Sequence, residues 1–130
     1  MKFAISIHSA PHSPSARRAL RFAQAVLGGG HELVRLFFYQ EGVYNACGSI
    51  TPPQDEINLG REWQDFINQH RLDSVVCIAA ALRRGVLNHE EAERYQLPAS
   101  CVSGAWELSG LGQLHDAIQS ADRLVCFGGH

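Results

Sequence analysis

The chain has 130 residues, with 11 lysines and arginines against 13 aspartates and glutamates. One domain with its own core is expected at this length, because about two thirds of the unfolded surface becomes buried, and a composition of 45% hydrophobic and 18% charged residues excludes a disordered chain. The formal charge of −2 excludes a broad basic nucleic-acid surface, no apolar run approaches the ~20 residues of a membrane span, and the opening Met-Lys-Phe-Ala-Ile-Ser-Ile-His is too briefly apolar for a signal peptide, so a cytoplasmic location is expected.

Lys2 to His8 alternates Phe3, Ile5 and Ile7, which predicts a strand. A loop follows over 9–13, with Ser13 as N-cap and Pro14 at the first helical position, where its missing N–H costs nothing. Ala16, Ala19, Leu20, Ala23, Val26 and Leu27 then fall on one helical face, and Gly28-Gly29-Gly30 stops the helix. Glu32 to Tyr39 predicts a second strand. Its successive Phe37, Phe38 and Tyr39 cannot all face one way, so part of this aromatic surface is expected to meet a partner. A loop of about fifteen residues follows, long enough to suggest function.

Asp55 to His70 predicts a helix with Leu59, Trp63, Phe66 and Ile67 on its core face. Asp73 to Ala80 is nearly continuous in apolar residues, as a central parallel strand would be. A turn over 81–85, a short helix over 88–95, a weak strand over 101–107, a helix over 112–121 and a last strand over 123–127 complete the pattern. This alternation predicts a single α/β domain over 1–130: an open, mostly parallel sheet of about five strands with helices on both faces. Chemistry in such sheets gathers at the carboxyl ends of the strands. The 40–53 loop, the 80–86 turn and the loop before 112 are expected there.

The four cysteines, Cys47, Cys77, Cys101 and Cys126, stand 30, 24 and 25 residues apart, with no C-x-x-C pair. Cys77 ends an apolar stretch just ahead of Ala79-Ala80-Ala81-Leu82-Arg83-Arg84-Gly85. Nearby positive charge favours the thiolate, the nucleophilic form of cysteine; the plain alternative is a buried structural thiol. Cys126 and Cys101 read as small packing residues. Cys47, beside Gly48 in the long loop, is expected to be partly exposed and able to meet another thiol.

No metal and no organic cofactor are indicated. Among the seven histidines only His8 and His12 stand four apart, and Pro11 lies between them, so no metal-binding pair is expected. No G-x-S-x-G or phosphate-loop motif occurs, and Ser109-Gly110-Leu111-Gly112 reads as a tight turn capped by Ser109 or as an anion-presenting loop.

Four stretches carry a resemblance: Phe37-Phe38-Tyr39-Gln40-Glu41-Gly42-Val43-Tyr44-Asn45-Ala46, Cys77-Ile78-Ala79-Ala80-Ala81-Leu82-Arg83-Arg84-Gly85-Val86, Ser109-Gly110-Leu111-Gly112-Gln113-Leu114, and Ala121-Asp122-Arg123-Leu124-Val125-Cys126-Phe127. Together, in order over almost the whole chain, they resemble the DsrE/TusD family of small sulfur-relay proteins. The resemblance implies a DsrE-like fold and a sulfurtransferase that carries persulfide sulfur on Cys77. It implies a heterohexamer with TusB- and TusC-like subunits, a TusA-like sulfur donor and a TusE-like acceptor. The sulfur would end as the 2-thio group of a tRNA wobble uridine, without direct nucleic-acid contact by this chain. Arg83 and Arg84 are candidates for thiolate support or partner docking, and Tyr44 and Asn45 for lining the pocket. Two alternatives remain open at this point: a DsrE-type protein of dissimilatory sulfur oxidation, and a non-catalytic interaction subunit with an inert Cys77.

Overall fold

A computed structural model describes residues 1–129. Its elements are β1 (Lys2–Ile7), α1 (Pro14–Gly28), β2 (Glu32–Phe38), a 3-10 helical strap (Gln40–Ala46), α2 (Leu59–His70), β3 (Ser74–Cys77), α3 (Ile78–Arg83), α4 (His89–Arg94), β4 (Glu107–Ser109), α5 (Gly112–Ser120) and β5 (Arg123–Phe127). The sheet runs β4-β3-β2-β1-β5, and every neighbouring pair is parallel. The chain steps from β1 outward to β4, then returns across the sheet to β5. Right-handed crossovers therefore put α1 and α2 on one face, where Phe22 meets Phe3 and Trp63 meets Phe38, and α5 on the other.

Both faces are covered, which decides the fate of the aromatic run. Phe37 and Phe38 point to opposite sides and both are buried. Phe38 meets the edges of Trp63 and Trp106, with ring centroids 5.2 and 6.0 Å away. Tyr39, half-buried, packs on Phe37 and His8. Phe37 and Phe38 are core, and of the three only Tyr39 keeps part of its surface exposed.

Several boundaries differ from the sequence reading. The apolar stretch at 73–80 leaves the sheet after Cys77, because the alanines that follow favour helix over strand. The long loop opens with the 40–46 strap. The helix expected from Asp55 begins at Leu59, where Asn58 accepts from the Arg61 N–H. The weak strand expected at 101–107 lies at 107–109 instead, and residue 102 makes only an isolated bridge with Cys47. Ser109 does not cap α5; Leu111 holds that position without a side-chain bond. Cys126 is exposed rather than a core residue, because β5 is an edge strand. No helix among the described residues is long and apolar enough to cross a membrane.

Candidate active site at the end of the third strand

Cys77 is the last residue of β3 and the N-cap residue of α3, so strand turns into helix with nothing between. It sits at the carboxyl edge of the parallel sheet, paired with Ser109 of β4. Only 2% of its surface is exposed. The short helix behind it is closed by Gly85, whose φ of +71 suits a residue without a side chain. There the Val86 N–H reaches back to the Ala81 carbonyl at 2.9 Å and the Gly85 N–H to Leu82 at 3.2 Å, a left-handed helix ending.

The 40–46 strap packs beside α3 and β3, and three devices hold it. Gly42 passes so close to β1 that a Cβ there would collide with the Ile7 carbonyl oxygen. Asn45, buried, donates from Nδ2 to the carbonyls of Ser9 (3.0 Å) and Gly42 (2.9 Å). Gly60 of α2 lets the helix approach the Asn45 carbonyl, which a Cβ would meet at 2.8 Å. Asn45 is thus a structural tie. Tyr44, half-buried, lines a cleft of about 260 Å³ together with His12, Glu41, Cys47, Ile50 and Ile57, and Cys77 is not part of that lining.

The two arginines divide. Arg84 turns to the strap: its Nε and Nη2 donate to Glu41 Oε1 at 3.0 and 2.9 Å, and its Nη1 donates to the Ala80 carbonyl at 3.1 Å. Its charge is met by a carboxylate, so it latches α3 to the strap rather than standing free for the thiol. Arg83 is exposed and borders a shallow groove with Leu82, Leu87, Tyr95 and Leu97. Glu41 lies within the sequence motif but carries no role visible there, because its partner lies 43 residues on.

Cys101 is the other residue that sequence reasoning misses. The structure brings it beside Cys47: the Gly48 N–H donates to the Cys101 carbonyl at 2.7 Å, and Cys47 bridges Val102. Burial works against ionisation of Cys47. The neighbouring Cys101 thiol, the Ser49 hydroxyl and the N–H groups of Ser49 and Ile50 outweigh it and hold the Cys47 thiol below its ordinary range. Burial, then the nearby Cys47, push Cys101 up to about 11. All four cysteines are free thiols. Among the described residues no cluster of three or more His, Cys, Asp or Glu is placed to hold a metal ion.

Comparison with known proteins fits this geometry. The DsrE/DsrF-like family profile matches residues 1–127. A Pseudomonas aeruginosa protein named as a homologue of sulfurtransferase TusD is 64% identical, over 99% of this chain and 98% of its own. A putative sulfurtransferase, DsrE of Allochromatium vinosum, is 45% identical, over 98% and 99%. Sulfurtransferase TusD of Salmonella newport is 44% identical, over 98% and 100%. The crystal structure of the YchN protein of E. coli, 22% identical, superposes with a TM-score of 0.76 over 98% of this chain and 99% of that one, which bears on the fold alone. The chain belongs to the DsrE/DsrF-like family, in the company of relatives named as sulfurtransferases.

Proposed function

We propose that this protein is a sulfurtransferase that carries persulfide sulfur on Cys77, within the relay that supplies 2-thiolation of tRNA wobble uridine. The observation that carries the reading is the position of Cys77, at the strand-to-helix junction on the carboxyl edge of a parallel sheet. The Cys77 thiolate attacks the outer sulfur of a donor persulfide, forming a new S–S bond while the donor's own S–S bond breaks, and the donor leaves as a thiolate. The resulting Cys77–S–SH then gives its outer sulfur to an acceptor thiolate, and Cys77 returns to its starting form. There is no net oxidation, and the transfer needs neither metal nor organic cofactor.

The 64% relative named for TusD supports thiolation over sulfur oxidation, since the DsrE and TusD proteins at 45% and 44% do not separate the two pathways. The charge of −2 supports a chain that hands sulfur to proteins rather than to RNA. Its partners are TusB- and TusC-like subunits, a TusA-like donor and a TusE-like acceptor, in the cytoplasm. Exposed Leu111, Ile118 and Leu124 around α5 and β5, and Tyr95 and Leu97 beside Arg83, supply apolar surface for such contacts. With 2% exposure, Cys77 needs local opening or a partner before sulfur can reach it.

The test is mass spectrometry of the chain, alone and with its partner subunits, after incubation with a persulfide donor. The Cys77 peptide gains one sulfur, and Cys77→Ser abolishes the gain. Undiminished labelling of the Cys77→Ser chain sinks the reading.

A further inference from the structure

We propose that Cys47 and Cys101 form a second thiol site, a redox dithiol that closes to a disulfide by exchange with low-molecular-weight disulfides. It goes beyond sulfur carriage on Cys77 and does not depend on it. The two residues lie 54 positions apart in sequence, yet the fold lays their backbones side by side. The Gly48 N–H donates to the Cys101 carbonyl at 2.7 Å, and Cys47 forms an antiparallel bridge with Val102. The 101–102 segment is itself pinned, because the N–H groups of Cys101 and Val102 both donate to the Leu87 carbonyl, at 2.8 and 3.0 Å. Cys101 is the residue just before the Val102 that pairs with Cys47, and the Cys47 and Cys101 thiols stand within hydrogen-bonding reach of each other; a disulfide spans Cα separations of about 4.4–6.8 Å.

The site is reachable. Cys47 and Cys101 are both half-buried, and Cys47 lines the cleft of about 260 Å³ with His12, Tyr44 and Ile50. That volume falls just below the usual ligand-pocket range, which suits a small thiol compound. The Cys47 sulfur lies 3.1 Å from the Ser49 hydroxyl, a donor for negative charge.

The pair is also asymmetric. Cys47 ionises more readily than an ordinary thiol and Cys101 less readily, so Cys47 is the attacking sulfur. Its thiolate breaks the S–S bond of a small disulfide R–S–S–R, forms Cys47–S–S–R and expels one R–S⁻. The charge at Cys47 is then gone, and with it part of what keeps Cys101 protonated. The Cys101 thiolate attacks the Cys47 sulfur and expels the second R–S⁻. The protein thiols lose two electrons, the small disulfide gains them, and the two thiol protons go to the two released thiols.

The experiment uses the full chain carrying Cys77→Ser and Cys126→Ser, titrated with oxidised glutathione near neutral pH and read by intact and peptide mass spectrometry. The expected product has lost two hydrogens, retains no glutathione and links the Cys47 and Cys101 peptides. Adding Cys101→Ser traps one glutathione on Cys47, and adding Cys47→Ser instead leaves Cys101 unmodified. A stable glutathione adduct on Cys47 while Cys101 is present, or no reaction at either thiol, overturns the proposal. If the doubly substituted background fails to fold, peptide mapping of the unmodified chain looks for the same Cys47–Cys101 link, and its absence overturns the proposal equally. Sulfur acceptance at Cys77 is absent from this readout, so its failure and the failure of the dithiol are told apart.

Discussion

Cys77 and the Cys47–Cys101 pair sit in the same small protein under opposite constraints. Cys77 ends a fully buried strand, lies against a strap tied down by Gly42, Asn45 and the Glu41–Arg84 ion pair, and has 2% of its surface exposed. Cys47 and Cys101 lie outside the named strands and helices, half-buried, and Cys47 lines a cleft. A buried thiol keeps its sulfur from water and stray oxidants but waits for access, whereas a half-buried thiol beside a second one exchanges freely. The contrast separates the proposed sulfur carrier, which is covered, from the proposed exchanging pair, which is not.

The largest expected effect is on access. In the folded chain without partners, iodoacetamide labels Cys126 and Cys47 first, and Cys77 lags by about tenfold or more, because labelling it requires local opening. Time-resolved peptide mapping checks this. Equal rates at Cys77 and Cys126 break the comparison.

Next is the strap. Gly42→Ala forces a methyl group against the Ile7 carbonyl, so the strap must shift, at a cost of about 1–3 kcal/mol. Asn45→Ala leaves the Ser9 carbonyl without its side-chain donor and costs a similar amount, about 1–3 kcal/mol. Urea unfolding midpoints report both, and Cys77 labelling is expected to speed up in each variant. Unchanged midpoints remove the strap from the account.

Smaller still is Glu41→Gln. Its ion pair with Arg84 is partly exposed, at 57% and 23% of side-chain surface, so the stability change stays below about 1 kcal/mol. Faster labelling of Cys77 in this variant sharpens the assignment of Arg84 as a latch. No change in labelling returns Arg84 to an ordinary surface ion pair.

The smallest effect is a displaced pH profile. Thiolate is the reactive form, so alkylation of each cysteine rises with pH through its pKa. The Cys47 curve lies to the acid side of a free thiol, and the Cys101 curve centres at about 11. Cys101→Ser removes the neighbouring thiol that favours the Cys47 thiolate, unless the new hydroxyl replaces it as donor, so Cys101→Ala is the cleaner variant. The Cys47 curve then moves toward higher pH. A curve that stays in place separates the two thiols energetically.

Much of this is legible along the chain. The alternation of Phe3, Ile5 and Ile7, the helical spacing of Ala16 to Leu27 and the Trp63 core face are local patterns, set by periodicities of two and 3.6 residues. The fold class follows from them, and the motif around Cys77 points to one thiol of four. What stays hidden is pairwise and distant. The alanines after Cys77 read as strand because apolar runs do not declare their period. Arg84 reads toward the thiol, because Glu41 lies 43 positions away. Cys126 reads as core, because only strand order makes β5 an edge.

The sequence by itself determined β1, α1, β2, the core face of α2, α5 and β5, the α/β class, the near-neutral charge and the candidacy of Cys77, since each rests on residue type and local spacing. Only the tertiary structure decided that Arg84 latches a strap, that Asn45 is a tie, that Cys77 is covered, and that Cys47 and Cys101 are neighbours. Those facts depend on which distant backbones meet, and chain reversal through parallel crossovers sets that, not any local pattern.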